Sequence, residues 1–121
     1  MARILVADDE EALRHFLRRA LEGRGHEVTT VAAGTEALDA LRAKPFDLLL
    51  SDVVMPELDG IALALKVSRD YPELPIIIMT GFMSAKARAE DLHTLVKRIV
   101  SKPFSLDDIC RTVDETLAVA A

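Results

Sequence analysis

The sequence predicts a doubly wound α/β domain, with a five-stranded parallel sheet of order 2-1-3-4-5 and helices on both faces. Three observations carry this expectation. Apolar runs at "ILVA" (4–7), "LLL" (48–50) and "IIIM" (76–79) lack the polar alternation of a sheet wetted on one side. Strands covered on both faces read this way. Helical patterns fill the intervals, so β and α alternate five times, which implies right-handed crossovers. The length of 121 residues suits one domain and can bury a core without staples.

Each element has a local reason. "ILVA" is the first strand, and after the acidic run Leu13, Phe16, Leu17, Ala20 and Leu21 recur at helical spacing as a buried stripe. "GRG" (23–25) stops that helix. "EVTTV" (27–31) and "RIVS" (98–101) mix polar and apolar residues, as edge strands do. Thr35 to Leu41 forms a short second helix. Ile61, Ala64, Leu65 and Ser68 form one face of a third, which ends before "YPELP". Ser84 to about Leu92 is a fourth, rich in alanine and charge. The last helix starts at Ser105, with Asp108 three residues on as a variant capping box. Leu106, Ile109, Cys110, Val113 and Leu117 are its buried stripe.

Composition excludes several classes. Net charge is −5, which argues against non-specific nucleic-acid binding. The apolar runs are too short to cross a bilayer, and no signal peptide opens the chain. The single cysteine, Cys110, excludes an intrachain disulfide and suits a cytoplasmic protein. Only 4 % of residues are aromatic, so the core is aliphatic. His15, His26 and His93 lack metal-ligand spacing. "GRGHE" follows a helix rather than a strand, which removes a dinucleotide fingerprint. The chain is read as one domain, 1–121, with no effector domain.

The chemistry gathers at the strand ends. In this sheet order the topological switch lies between strands 1 and 3, where ligands bind. Strand 1 ends in Asp8, Asp9, Glu10 and Glu11, and strand 3 ends in Asp52. Neighbouring strands about 4.8 Å apart bring Asp8, Asp9 and Asp52 within roughly 5–7 Å. Two carboxylates about 5 Å apart repel by roughly 3 kcal/mol at an effective dielectric near 20. Mg²⁺ would offset that, being hard and satisfied by one or two carboxylates, waters and a phosphate oxygen. Thr80 and Lys102 end the next two strands, adding a hydroxyl and a cation suited to a phosphoryl group. Taken alone, the acidic run reads equally as a helix start. Asp8 with Glu11 fits a capping box, and early acids complement the helix dipole.

"ADDEE", "LLLSDVVMPELDG", "IIIMTGF" and "SKPF", in this order and spacing, resemble the receiver domain of two-component response regulators. The resemblance covers essentially the whole chain and implies the CheY-like, flavodoxin-type fold. It implies that Asp52 is the phosphoacceptor. Asp8 and Asp9 would then bind Mg²⁺ together with Asp52 and the backbone carbonyl of Val54. Thr80 would contact the phosphoryl group, Lys102 would pair with it, and the Lys102–Pro103 peptide would be cis. The donor would be a histidine kinase or a histidine phosphotransferase. The chain would then be a phosphoprotein of signal transduction with weak self-dephosphorylation, rather than an enzyme. Within the family it looks most like single-domain regulators that serve as adaptors of the ClpXP protease, with substrates delivered in the unphosphorylated form.

Two rivals stand beside that reading. One is a chemotaxis-type or phosphorelay regulator. The other is a Mg²⁺-dependent phosphatase of the haloacid dehalogenase type, which wants a second Asp where Val54 stands. The sequence departs from the family at Ile99, where receivers usually carry Tyr or Phe. The expected substitute for that aromatic switch is the fourth helix, whose few apolar anchors imply low local stability.

Overall fold

The computed structural model describes residues 1–81 and 96–120. In chain order these form β1 (Arg3–Ala7), α1 (Glu11–Glu22), β2 (Glu27–Val31), α2 (Gly34–Ala43), β3 (Leu48–Asp52), α3 (Gly60–Asp70), β4 (Ile76–Thr80), β5 (Arg98–Ser101) and α4 (Leu106–Ala120). The fourth helix expected from the sequence, and the switching role expected of it, lie outside the described residues. Among the described residues, no helix is long and apolar enough to cross a membrane.

All strand pairs are parallel and the order is β2-β1-β3-β4-β5. Alternate residues of the central strands feed two cores. Leu5, Leu49, Ile76 and Ile78 meet Ala37 and Leu41 of α2 and Leu63, Ala64 and Val67 of α3. Ile4, Val6, Leu48, Leu50, Ile77 and Met79 meet Leu17 and Leu21 of α1 and Ile109, Cys110 and Val113 of α4. Helices on both sides explain why those strands carry no polar alternation. Burying each large aliphatic side chain contributes about 1.5–3 kcal/mol, the main support of a chain with few aromatics. The outer strands β2 and β5 are partly exposed, as their mixed sequences predict.

Three expected core residues lie at the surface instead. Phe16, Leu65 and Leu106 are 39 %, 46 % and 42 % exposed. In α3 the buried set is Ile61, Leu63, Ala64 and Val67, which puts Leu65 on the far side. The repeat and its phase were right, since Leu17, Leu21, Ile61, Ala64, Ile109, Cys110 and Val113 of the expected stripes are buried, and the exceptions lie at the stripe margins or, for Leu106, at the helix start. α2 is also longer than expected, from Gly34 to Ala43.

The Asp8–Glu11 capping box does not form. Asp8 still donates its N–H to Val31 O at 3.1 Å, so it belongs to the sheet rim, and α1 begins at Glu11 with Glu10 as N-cap. The expected Ser105 cap does form, its Oγ accepting from Asp108 N at 3.0 Å. Asp59 caps α3 by accepting from Ala62 N at 2.8 Å.

The next residue, Gly60, brings α3 hard against the end of β3. Its N–H donates to Val53 O at 2.7 Å, and a Cβ there would collide with the Asp52 carbonyl oxygen and lie 2.9 Å from Val53 Cα. Backbone cannot yield as a side chain tip does. Gly60→Ala is expected to destabilise the domain by about 2–3 kcal/mol, measured by urea unfolding.

Candidate functional site

The carboxyl ends of β1, β3, β4 and β5 build one rim. Asp8 follows β1 and is fully buried, with every polar atom engaged. Besides its N–H bond to Val31, its carbonyl accepts from Arg14 Nη1 at 2.8 Å. Its Oδ1 accepts from Glu10 N at 2.8 Å and its Oδ2 from Lys102 Nζ at 3.1 Å. Asp52, the last residue of β3, is 7 % exposed, and its Oδ1 accepts from Val53 N at 2.9 Å. Lys102 Nζ also lies 3.4 Å from Asp52 Oδ1. Lys102 is carried there by the sheet, since its N–H donates to the carbonyl of Thr80 at 2.8 Å. Thr80, at the end of β4, is buried on the same rim. The Lys102–Pro103 peptide is cis.

Asp9 is exposed, yet one oxygen each from Asp8, Asp9 and Asp52 fall within 4.8 Å of one another. That is just inside the roughly 5–7 Å expected from the strand spacing and side-chain reach. Val54 lies in the loop beyond, its side chain half exposed.

The electrostatics are strained in one direction. Burial pushes the Asp52 carboxyl above its ordinary value, the Asp8 charge pushes it further, and Lys102 only partly offsets both. For Lys102, burial favours the neutral form. Its hydrogen bond to Asp8 and the charges of Asp52 and Asp8 outweigh that and hold it above the ordinary lysine range. The Lys102 ammonium thus pairs with two of the three clustered carboxylates, Asp8 and Asp52. All candidate donors are hard oxygens, and the exposure of Asp9 leaves room for retained waters, so the set fits Mg²⁺. Millimolar Mg²⁺ is expected to raise the melting temperature by a few degrees, as ligand at about ten times its Kd stabilises by roughly 1.4 kcal/mol. An unshifted midpoint would count against the site.

Residues 4–114 match the family described as the response regulator receiver domain. The chain belongs to the response regulator receiver family. The receiver is 39 % identical to the response regulator receiver protein CpdR of Brucella abortus, covering 99 % of this chain and all of that protein. It is 38 % identical to the DNA-binding transcriptional regulator NtrC of Klebsiella pneumoniae, where it spans 24 % of the relative. Among solved structures, the receiver domain of Francisella response regulator 1452 superposes with TM-score 0.90 at 28 % identity, each chain covered completely. TrrA of Thermotoga maritima, solved with Mg²⁺ and BeF, superposes with TM-score 0.87 at 29 % identity, over 96 % of this receiver and 99 % of TrrA. The family is a signalling phosphoacceptor family rather than a class of conventional enzymes.

Arg14 was not among the residues expected at the site. Its sequence signal is weak, because Arg14, Arg18 and Arg19 together read as a solvated helix face. The expected core role of Cys110 holds: it is fully buried, and burial pushes its thiol up. A broad groove opens at the opposite rim, lined among others by His26, Phe46, Tyr71 and Leu117, and includes none of the site residues.

Proposed function

We propose that Asp52 accepts a phosphoryl group from a phosphohistidine of a histidine kinase or histidine phosphotransferase. The observation that carries this reading is the convergence of Asp8, Asp9 and Asp52 on one rim, with Lys102 reaching two of them. A carboxylate oxygen of Asp52 attacks phosphorus, and an acyl phosphate bond forms. The phosphorus–nitrogen bond breaks, its electron pair going to the donor imidazole. Val53 N–H orients the Asp52 carboxylate through its other oxygen. Lys102 then pairs with a phosphoryl oxygen, and the Thr80 hydroxyl donates to another. Bound Mg²⁺, held by Asp8, Asp9, Asp52 and the Val54 carbonyl, would supply charge neutralisation at those oxygens.

The output is a change of protein contacts, in a cytoplasmic regulator of CpdR's kind. The 39 % identity to CpdR over the whole length of that protein supports this reading. The partner is then the ClpXP protease, with delivery switched off by phosphorylation. A chemotaxis-type or phosphorelay role is the alternative outcome of the same test. The phosphatase reading is disfavoured because Val54 offers no acid to protonate a leaving group.

Two assays separate these readings. A radiolabelled phosphohistidine donor should label the protein with hydroxylamine-sensitive acyl phosphate. Sustained multiple-turnover release from a phosphomonoester would instead support the phosphatase. A pull-down with purified ClpX should retain the unphosphorylated protein better than the phosphorylated one, and equal retention would remove the adaptor reading.

A further inference from the structure

We propose that Arg14 is a positioning residue that pins the Asp8 carbonyl and so holds the Asp8 carboxylate where it converges with Asp9 and Asp52. The proposal rests on reading that cluster as the Mg²⁺ site. Arg14 lies in the first turns of α1, donating its own N–H to Glu10 O at 3.0 Å. Its guanidinium folds back past the helix start to reach Asp8 O at 2.8 Å. That placement runs against the helix field, whose N-terminal end is positive and disfavours a cation. Nor is it an ion-pair arm: among the described residues Arg14 joins no salt bridge, whereas Arg18 on the same helix pairs with Glu22 at 3.8 Å. The carbonyl it holds sits between β1 and α1, at the corner that sets the direction of the fully buried Asp8 side chain. Arg14 is only partly buried, so its replacement leaves the aliphatic cores intact.

Charge and positioning predict opposite results. Removing a cation beside a metal site strengthens metal binding if the cation acts by charge alone. Losing the clamp weakens it. Mg²⁺ is titrated calorimetrically into wild type, Arg14→Met and Arg14→Lys at a temperature where circular dichroism shows each folded. Arg14→Met is expected to bind Mg²⁺ about tenfold more weakly, the range seen when a ligand-orienting residue is lost. Arg14→Lys, with the charge but not the planar fork, should fall between. Equal or tighter binding by Arg14→Met overturns the proposal. A second reading needs no metal. The Glu10 amide, bonded to Asp8 Oδ1, should exchange faster in Arg14→Met, while the β1 amides keep their protection. Unchanged Glu10 protection also overturns it. If wild type itself binds no Mg²⁺, the magnesium reading fails and the Glu10 amide alone decides the role of Arg14. Should Arg14→Met not fold, Arg14→Lys takes both measurements.

Discussion

Asp52→Asn is expected to take no label from a phosphohistidine donor and, in metal-free buffer at neutral pH, to melt above the wild type. The amide keeps an oxygen to accept from Val53 N–H but is no longer a nucleophilic carboxylate. Asp8 cannot substitute, since it is fully buried and both its carboxylate oxygens are already engaged. The gain in stability follows from electrostatics. Burial, then the Asp8 charge, raise the native value for Asp52 above the unfolded value, near 3.8. Between those two values the native state binds more protons than the unfolded chain, so stability falls as pH rises. The contribution is fully present below the unfolded value and is lost as pH rises through the native one. At neutral pH, above the unfolded value, the wild type therefore carries that penalty, and the variant does not. The difference in melting temperature should shrink as the buffer is acidified toward the unfolded value. A variant that melts below the wild type at neutral pH would contradict this account. Equal labelling would mean that another residue is the acceptor.

Lys102→Met is expected to cost about 2–4 kcal/mol in metal-free buffer, because removing one partner of a buried pair leaves an uncompensated charge. The partners left behind are Asp8, whose side chain is 0 % exposed, and Asp52, at 10 %. Methionine keeps the aliphatic stem, so the loss reports the ammonium rather than packing. Mg²⁺ should restore much of that loss, since it supplies charge to the same carboxylates. Denaturant melts with chelator and with millimolar Mg²⁺ measure both quantities. A gap that Mg²⁺ leaves untouched would show that lysine and metal do not share these acids.

Much of this was legible along the chain. The three apolar runs mark the buried strands because a strand between two helix layers tolerates no wet position, and the weaker runs mark the edges for the converse reason. The four strand-end motifs placed Asp8, Asp9, Asp52, Thr80 and Lys102 on one rim, since parallel strands bring their carboxyl ends together. What failed was the width of the stripes rather than their phase. Phe16, Leu65 and Leu106 are apolar residues at helical spacing, and spacing alone does not say how far round the helix the covered face extends.

The acid-rich corner shows where sequence ends and tertiary structure takes over. By itself the sequence determined that four carboxylates follow a buried strand, and that Glu10 and Glu11 would suit the start of a helix. Only the fold decided that Asp8 is no helix cap. Its N–H is committed to β2, its carbonyl to Arg14 and its carboxylate to Lys102, all residues whose proximity depends on the packed sheet or the folded helix turn. Asp9, one residue on, is exposed and reaches the cluster from the solvent side. Local chemistry sets what a carboxylate can do, but the number of its partners and the water around it set its charge state and task. Those are properties of the assembled rim.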